Sequence, residues 1–360
     1  MHNELMSLTA QELVAAPRGR SLCLATAEVI DESVAAAWMG AGFRPEDRTK
    51  VDELGRVLDR LDVAAVRGWT DPLVFIGPVA HAVDFAMAWQ EPEAEDVVAA
   101  DPAVIEALLP IGEAILASPA AGWWQSPIDL STLRHTSKYD DAHPPEPPGL
   151  AGAADLVRDW RRSAVIGNHR DQLELPDDPT APYSGVWWSS PSGRNPIPTS
   201  TRTLDGLGSI KLVWEEDSFG QCDALVRPLA VTGSPRVYEI DCPQAWTELV
   251  RRYPLDVSAS RRHDWYRATG RDGGWLIPDY VAVAADWDAI HLTVAGYLST
   301  ALRALPVVDG HATVLAGWDP DQTWWLADLL QLAGPAEHWR SVESADGPDL
   351  GWQPVSAPGR

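Results

Sequence analysis

The pattern of apolar residues changes about a third of the way along the chain. Over the first 120 residues the pattern has a helical period, as between Val51 and Leu61, where apolar residues recur every three or four positions and charges fill the other face. Thr9 and Glu12 form a capping-box pattern ahead of an alanine-rich stretch. The sequence therefore predicts a helical domain over residues 1–125.

Beyond residue 125 the chain consists of short β-type runs that Gly and Pro interrupt, without regular strand–helix alternation. This pattern predicts an α+β domain over residues 126–334. The proline-rich stretch 143–149 is interpreted as a stiff loop inside that domain, and the Gly-, Pro- and Ser-rich residues 335–360 as a flexible tail. Strands are predicted at 185–189, 209–214, 236–240, 289–294, 312–317 and 323–326, and helices at 244–252, 278–285 and 298–305.

The chain is strongly acidic. Its 360 residues carry 52 Asp and Glu against 28 Lys and Arg, which gives a formal charge of −24. Because the basic residues are few and scattered, general binding to nucleic acid or to an anionic membrane surface is not expected. The same charge leaves open an acidic binding protein, such as an immunity protein or a nucleic-acid mimic. The acidic connector 91–96 is predicted to be a solvated loop.

Cysteine content and the apolar segments favour a reducing, cytoplasmic location. Cys23, Cys222 and Cys242 form no CxxC pair, which fits neither a disulfide framework nor a structural zinc site. Residues 1–5 lack the pattern of a signal peptide. The most apolar window, 73–89, contains Gly, Pro, His and Asp, so it predicts a buried helix and loop rather than a membrane span.

Tryptophan is unusually frequent, with 18 residues and doublets at 123–124, 187–188 and 324–325. Each indole can simply fill the core, or several can wall a pocket for a flat ring. Composition alone does not decide between these two interpretations.

Several kinds of chemistry lack their motifs. The sequence has no G-x-S-x-G elbow, no phosphate-binding P-loop and no G-x-G-x-x-G after a strand. A metal site at Asp286, Asp288 and His291 requires residues 288–291 to be helical, whereas they are predicted to form a strand. That strand would place Asp288 and His291 on opposite faces.

Three short segments in a definite order carry polar residues that could form a site. They are Leu133-Arg-His-Thr-Ser137, Gly185-Val-Trp-Trp-Ser189 and Gly317-Trp-Asp-Pro-Asp-Gln-Thr-Trp-Trp-Leu326. With the segment from Asp279 to Ile290, they resemble motifs of the ADP-ribosyltransferase-like superfamily. The similarity is to a bacterial group whose motifs read L-R-H-Y-S, G-L-W-x-S and G-W-D-x-x-S-G-x-x-W, and it covers about residues 130–330.

The resemblance implies two small sheets that hold NAD+ in the cleft between them. It implies that His135 hydrogen-bonds the adenosine ribose, that Ser189 orders His135 and the nicotinamide ribose, and that an acid near the last strand stabilises positive charge on the ribose. The cofactor-binding residues it suggests are Arg134, His135, Thr136, Trp187 and Ser189. The catalytic residues it suggests are Asp319, Asp321 and Gln322.

Departures from these motifs leave the acid open. Thr136 stands where the group has Tyr, and the last motif contains no Glu. The acid must therefore be Asp319 or Asp321, or Gln322 if an amide suffices. Glu215 and Glu216 are a second option, with a solvated strand end as the simpler interpretation. A fold that binds NAD+ without activity also stays open.

The function that these motifs predict is an NAD+-dependent mono-ADP-ribosyltransferase, or an NAD+-consuming glycohydrolase-type enzyme, that acts through an oxocarbenium-like transition state on an unspecified acceptor. The arginine-rich stretch 260–267 could bind the pyrophosphate of NAD+ or an acidic target, or it could be a salt-bridged loop. The alternatives are the acidic binding protein and a small-molecule tailoring enzyme with an aromatic pocket.

Overall fold

The structure is a computed structural model, and it describes residues 8–140, 145–193, 196–218, 220–342 and 351–355. The predictions for residues 1–5, for the first two residues of the proline-rich stretch and for much of the tail fall outside these ranges. The helices that come first along the chain are α1 (Ala10–Ala15), α2 (Pro17–Ile30), α3 (Ser33–Gly42), α4 (Arg48–Leu58), α5 (Ala64–Arg67), α6 (Ile76–Asp84), α7 (Ala94–Ala99) and α8 (Pro102–Leu116), with 3-10 turns at Pro72–Phe75 and Pro119–Ala121.

The helical prediction for this region is confirmed. The Thr9 hydroxyl accepts the Glu12 N–H, and the Glu12 carboxylate accepts the Thr9 N–H at 3.0 Å, so the capping box is closed. The apolar face of α4 is buried as its spacing predicts. The apolar window 73–89 forms a buried helix and turn, also as predicted. None of the described helices is both long and apolar enough to cross a bilayer.

The acidic connector is a correction, because its second half is buried. Asp96 makes a bidentate ion pair with the buried guanidinium of Arg18, and Glu95 accepts a 2.7 Å hydrogen bond from Ser21 and lies 2.8 Å from His81 Nε2. A buried carboxylate is tolerated only with such partners. A local count of acidic residues could not reveal them, since they come from α2 and α6.

The second part of the chain is mixed α and β, as predicted for its class. Its helices are α9 (Ala153–Glu174), α10 (Pro243–Arg252), α11 (Ser258–Thr269), α12 (Tyr280–Asp286) and α13 (Val294–Thr300), with a 3-10 turn at Ile210–Leu212. Its strands are β1 (Arg134–Tyr139), β2 (Thr199–Ser200), β3 (Asp223–Val231), β4 (Val237–Ile240), β5 (Pro254–Asp256), β6 (Gly274–Pro278), β7 (Ala289–Leu292), β8 (Leu305–Val308), β9 (His311–Thr313), β10 (Thr323–Trp325), β11 (Leu330–Leu332), β12 (Glu337–Ser341) and β13 (Trp352–Pro354).

These strands form small sheets rather than one large one. The first has the order β1-β3-β12-β13, with β11 also on β3; the second is β2-β10-β7-β4, and the third is β5-β6-β9-β8. Pairing is antiparallel except for β4 with β7 and β6 with β9. A bridge between Arg134 and Thr201 links the first sheet to the second. This link brings the start of β1 close to β2 and β10.

Three predicted elements differ most from the structure. Residues 185–189 are irregular, residues 209–214 contain a 3-10 turn instead of a strand, and the helix predicted over 298–305 ends at Thr300. Apolar and polar residues alternate over 209–214 without forming a strand. Ile210, Leu212 and Trp214 are all buried, at and just after the 3-10 turn. The Trp214 indole N–H there donates to the Ile76 carbonyl at 3.0 Å.

The tail is a further correction. Residues 337–341 and 352–354 pair as strands β12 and β13, and β12 joins the long strand β3. Trp339 anchors this segment: it is 6% exposed and packs so closely on Gly208 that a Cβ there would lie 2.4 Å from its ring. One large apolar side chain offsets a composition that otherwise predicts fraying.

The larger of two apolar clusters runs through the helical and the α+β parts. Several tryptophans pack in this cluster, and those that are fully buried include Trp124, Trp214, Trp246 and Trp318. The Ala295 N–H donates to the Trp124 carbonyl at 3.1 Å across the two parts. The two parts thus pack directly on each other, and the domain boundary near residue 125 stays a prediction.

Gly296 tests how tightly α13 packs on the sheet that carries part of the site. A Cβ at this position would lie 2.0 Å from the Ile240 carbonyl oxygen of β4. We therefore expect Gly296→Ala to lower the free energy of unfolding in urea by at least about 2 kcal/mol. Gly167→Ala is the matched control, because nothing lies within 4 Å of that Cβ in α9. It should stabilise the fold by up to about 1 kcal/mol. Equal effects of the two changes would contradict the packing described here.

Candidate functional site

A cavity of about 600 Å³ lies between the first and second sheets. It is bounded by β1, by β2 and the segment before it, by the turn that follows residue 210, and by the loop that leads into β10. Four of the residues predicted for the site line it: His135, Trp187, Asp319 and Gln322. The structure thus brings together one side chain from the first motif, one from the second and two from the third.

His135 faces the cavity from β1. Its Nδ1 lies 3.1 Å from the Thr199 carbonyl oxygen, and its Nε2 lies 3.2 Å from the Ser137 hydroxyl. Burial lowers the pKa of His135 to about 4, and the positive charges of Arg227 and Lys211 act in the same direction. The ring is therefore neutral near pH 7. With Nδ1–H donating to Thr199, Nε2 is a hydrogen-bond acceptor, and the Ser137 hydroxyl donates to it.

The two residues directly adjacent to His135 on β1 do not reach the cavity. Thr136 is buried on the opposite face, where its hydroxyl donates to Ser209 at 2.7 Å. The Arg134 guanidinium turns back to the carbonyls of Thr132 and Leu133. Strand alternation explains this separation, because successive side chains point to opposite faces.

Three tryptophans form an aromatic side of the cavity: Trp187, Trp188 and Trp324. The Trp187 and Trp188 rings meet edge-on with centroids 5.6 Å apart, and Trp265 donates its indole N–H to the Trp187 carbonyl. The Trp324 indole N–H has no hydrogen-bond partner among the described residues. This side of the cavity therefore offers flat apolar surface against which a planar ring can stack.

Ser189 does not line the cavity. Its side chain is fully buried, where the hydroxyl donates to the Ala316 carbonyl at 3.2 Å and accepts the Ala316 N–H at 3.1 Å. The Ser189 backbone N–H also donates to the Ala316 carbonyl, at 2.9 Å. Ser189 therefore joins the tryptophan segment to the residue before Gly317, and it positions the site rather than contacting a ligand.

Asp319 lies at the centre of a charged network in the cavity. Its carboxylate pairs with Lys211, accepts the Glu216 N–H at 2.9 Å and accepts a 3.1 Å hydrogen bond from the Gln322 amide. Lys211 also lies 2.9 Å from Glu215, which in turn lies 2.7 Å from Lys138. Two lysines and two carboxylates thus form a fixed array of alternating charge.

The two glutamates of this network have opposite pKa shifts. Burial opposes ionisation of Glu215, but the ammonium groups of Lys211 and Lys138 lower its pKa to about 2. Burial raises the pKa of Glu216 to about 8, and the negative charge of Asp319 adds to this effect. Near pH 7 one glutamate is ionised and its neighbour is protonated. Carboxyl groups with separated pKa values are typical of acid–base sites.

Glu216 is therefore the residue that sequence reasoning ranked too low. It is 7% exposed, and its carboxylate accepts the Gly317 N–H, so the solvated strand end expected there is wrong. Lys138, Lys211, Trp188 and Trp324 also line the cavity without having been predicted. The sequence signal that could have identified Glu216 is the pair Glu215-Glu216 directly after the mostly apolar residues 210–214.

Asp321 belongs to a different, fully packed cluster. Its carboxylate accepts the backbone N–H of Arg202 at 2.9 Å and its guanidinium Nε–H at 2.6 Å, and lies 3.3 Å from His291 Nε2. His291 Nδ1 lies 2.5 Å from Glu239. Burial opposes the charged imidazole, but Asp321 and Glu239 raise the pKa of His291 to about 9. Asp321 therefore supports the fold beside the cavity and does not line it.

The arginine-rich stretch 260–267 also lies outside the cavity. It is part of helix α11, where Arg261 donates to the Trp188 carbonyl, Arg262 contacts Asp177 and Arg267 pairs with Asp264. The salt-bridged interpretation fits these contacts better than a pyrophosphate site, although the segment is a helix rather than a loop.

The residues considered for a metal site are separated. Asp286 contacts Arg252 and Tyr253, and Asp288 pairs with Arg236, while His291 lies in the Asp321 cluster. Residues 289–292 form a strand, as predicted. Across the described ranges, no group of three or more His, Cys, Asp or Glu side chains is arranged to hold a metal ion.

Comparison with known proteins gave no match among family models, curated proteins or solved structures. Functional inference therefore depends on the geometry and electrostatics of the cavity.

Proposed function

We propose that this cavity binds NAD+ and that the chain is an ADP-ribosyltransferase-like enzyme, which cleaves the bond between nicotinamide and ribose. One observation carries the proposal: His135, Trp187 and Asp319 come from three motifs that are far apart in sequence, and they line one cavity. A volume of about 600 Å³ lies within the usual range for small-molecule sites, roughly 300–1,000 Å³.

The binding groups suit a nucleoside with a planar cationic ring. The neutral His135 ring has Nε2 as an acceptor, and a ribose hydroxyl can donate to it by displacing the Ser137 hydroxyl that occupies it now. Trp187, Trp188 and Trp324 provide surface against which nicotinamide can stack. The ionised carboxylates of Glu215 and Asp319, although paired with lysine, favour a positively charged ring over a neutral one.

The cleavage step needs negative charge more than proton transfer. As the C1′–N bond breaks, its electron pair neutralises the pyridinium nitrogen, and positive charge develops on the ribose as an oxocarbenium ion. The fixed carboxylate of Asp319 stabilises that charge by preorganised electrostatics. Gln322 donates to this carboxylate and so holds it in position.

Glu216 supplies the proton acceptor. A water molecule or an acceptor hydroxyl attacks C1′, and its proton passes to the ionised Glu216 carboxylate, so that neutral nicotinamide and an ADP-ribosylated product result. A general base works best when its pKa is near the operating pH, and the raised pKa of Glu216 meets that condition. Asp319 is held by the Lys211 ammonium and by Gln322, so its place in the reaction is to stabilise charge.

A second candidate is an enzyme that modifies another aromatic small molecule. Among the described residues that line the cavity, the cations are Lys138 and Lys211, both paired with carboxylates, and there is no arginine. Pyrophosphate is most often bound by arginines or by helix N-termini. This arrangement favours a ligand with less phosphate charge than NAD+.

Incubation with NAD+ tests the proposal directly. We expect free nicotinamide in the reaction mixture by liquid chromatography, and a higher melting temperature, since a ligand at 100 times its Kd stabilises the folded state by about 2.7 kcal/mol. His135→Ala should abolish the melting shift, whereas His169→Ala, on the exposed face of α9, should retain it. No shift and no nicotinamide would refute the proposal. A co-purifying aromatic metabolite, with indifference to NAD+, would establish the second candidate.

A further inference from the structure

A second cavity, of about 410 Å³, lies where the helical part meets the α+β part. Its lining comes from α2, from α7 and the segment before it, from the end of α11 and from the loop after α13, and it shares no residue with the first cavity. Most of the wall is apolar. The apolar lining residues include Pro17, Phe85, Met87, Val97, Leu302 and Ala304.

Arg20 is the buried charge of this cavity. Its side chain lies in the wall, and the residue is only 8% exposed. One guanidinium N–H donates to the Val14 carbonyl at 3.1 Å, while Nε has no partner among the described residues. No carboxylate of the described chain lies within ion-pair distance of it. Burial lowers the pKa of Arg20, which indicates a charge held at a cost in free energy.

The acids around the cavity offset the charge of Arg20 only in part. Asp96 also lines the wall and its negative charge acts to raise the pKa of Arg20, but its carboxylate is engaged by Arg18 in a bidentate pair, and the Arg18 charge acts in the opposite direction. Glu91 and Glu93 are exposed at the rim, where water and salt screen them. Inside the cavity, Arg20 therefore has no ion-pair partner of its own among the described lining residues.

We propose that this cavity binds a small monocarboxylate with an apolar body, whose carboxylate pairs with Arg20. Such a ligand matches one cation and apolar walls at once, whereas a phosphate dianion would leave one negative charge buried without a partner. The volume admits roughly ten to fifteen non-hydrogen atoms, at a liquid-like volume of about 30 Å³ for each. The inference does not depend on the proposed NAD+ chemistry.

The second cavity lies between the two parts of the chain, so a ligand bound there contacts both. Arg20 and Phe85 belong to the helical part, and Ala268 and Leu302 belong to the α+β part. A molecule that contacts both binds only when the two parts are packed together. Its binding therefore stabilises their association.

Octanoate is the probe, with octylamine and 1-octanol as probes of equal chain length and different charge. Calorimetric titration of the full chain should show octanoate binding at least tenfold more tightly than either. The chain's charge of −24 makes non-specific adsorption of an anion unfavourable, so tighter binding of octanoate than of octanol indicates a local cation. Equal binding of octanol or octylamine, or no octanoate binding, would overturn the proposal.

Two variants localise the binding. Arg20→Met keeps the apolar stem and should lower octanoate affinity at least tenfold, whereas Arg56→Met, on the exposed face of α4, should leave it unchanged. If Arg20→Met fails to fold, Val97→Trp decides the question. Val97 lines the cavity but is 47% exposed, so a larger side chain can occupy the mouth without entering the core. Undiminished octanoate binding in Val97→Trp would place the ligand elsewhere and refute the assignment.

Discussion

Glu216→Gln is expected to reduce nicotinamide release from NAD+ by roughly two to three orders of magnitude, because loss of a general base costs 10²–10⁴-fold in rate. The substitution keeps the shape of the side chain. The amide oxygen can still accept the Gly317 N–H that the carboxylate accepts now. The loss should therefore appear in kcat with little change in KM, since substrate contacts are preserved.

The same change should stabilise the folded protein at alkaline pH. The pKa of Glu216 is raised from 4.5 in the unfolded chain to about 8 in the fold, so its contribution to stability is fully present below pH 4.5 and is lost as pH rises through about 8. At 1.36 kcal/mol for each pKa unit, ionising this buried group costs roughly 3–5 kcal/mol. Glutamine does not ionise and avoids that cost.

Two measurements check this prediction together. Activity of the unaltered protein should rise with pH through about 8, and melting curves at pH 5 and pH 9 should show Glu216→Gln gaining stability relative to it. Glu106→Gln, exposed on α8, is the control and should change neither. Full activity in Glu216→Gln would exclude Glu216 as the base. Equal pH dependence of the two melting curves would mean that the carboxyl is not buried as described.

Asp321→Ala is expected to lower the free energy of unfolding by about 3–5 kcal/mol, because it leaves the buried Arg202 and His291 without their shared anion. Asp319→Asn should instead reduce nicotinamide release at least 100-fold in a protein that still folds. The two acids are two positions apart in one motif, yet only Asp319 lines the cavity.

The pH dependence of stability provides an independent test of the Asp321 cluster. The pKa of His291 is raised from 6.5 to about 9, so its stabilising contribution is fully present below pH 6.5 and is lost as pH rises through about 9. Asp321→Ala should weaken that alkaline loss in urea-unfolding experiments from pH 6 to 10. Asp205→Ala, in an exposed turn, should leave the curve unchanged. Unaltered stability of Asp321→Ala combined with lost activity would place Asp321 in the catalytic machinery.

The helical part could be predicted because its signals are local. The spacing between Val51 and Leu61 and the Thr9–Glu12 box each act within a few turns of one helix. The buried pairing of Asp96 with Arg18 could not be predicted in the same way. It depends on two helices packing together, and nothing in the sequence near either residue encodes the contact.

The candidate site was predicted in part, for the same physical reason. The three motifs predicted that His135 and Asp319 lie at one site, and both line the cavity. Which of the neighbouring side chains face the cavity depends on the alternation of side chains along a strand and on the geometry of the turns. Thr136 faces away because it is one position from His135 on β1. Glu216 reaches the cavity because residues 210–212 form a 3-10 turn instead of the predicted strand.

The double attachment of Ser189 to Ala316 has a consequence for how a ligand enters. The segment that carries Trp187 and the loop that carries Asp319 cannot separate without breaking the buried hydrogen bonds of Ser189 to the Ala316 N–H and carbonyl. This side of the cavity is therefore rigid before a ligand binds, because its conformational entropy is already lost on folding. We therefore expect any conformational change on ligand binding to occur on the opposite side of the cavity, around His135 of β1.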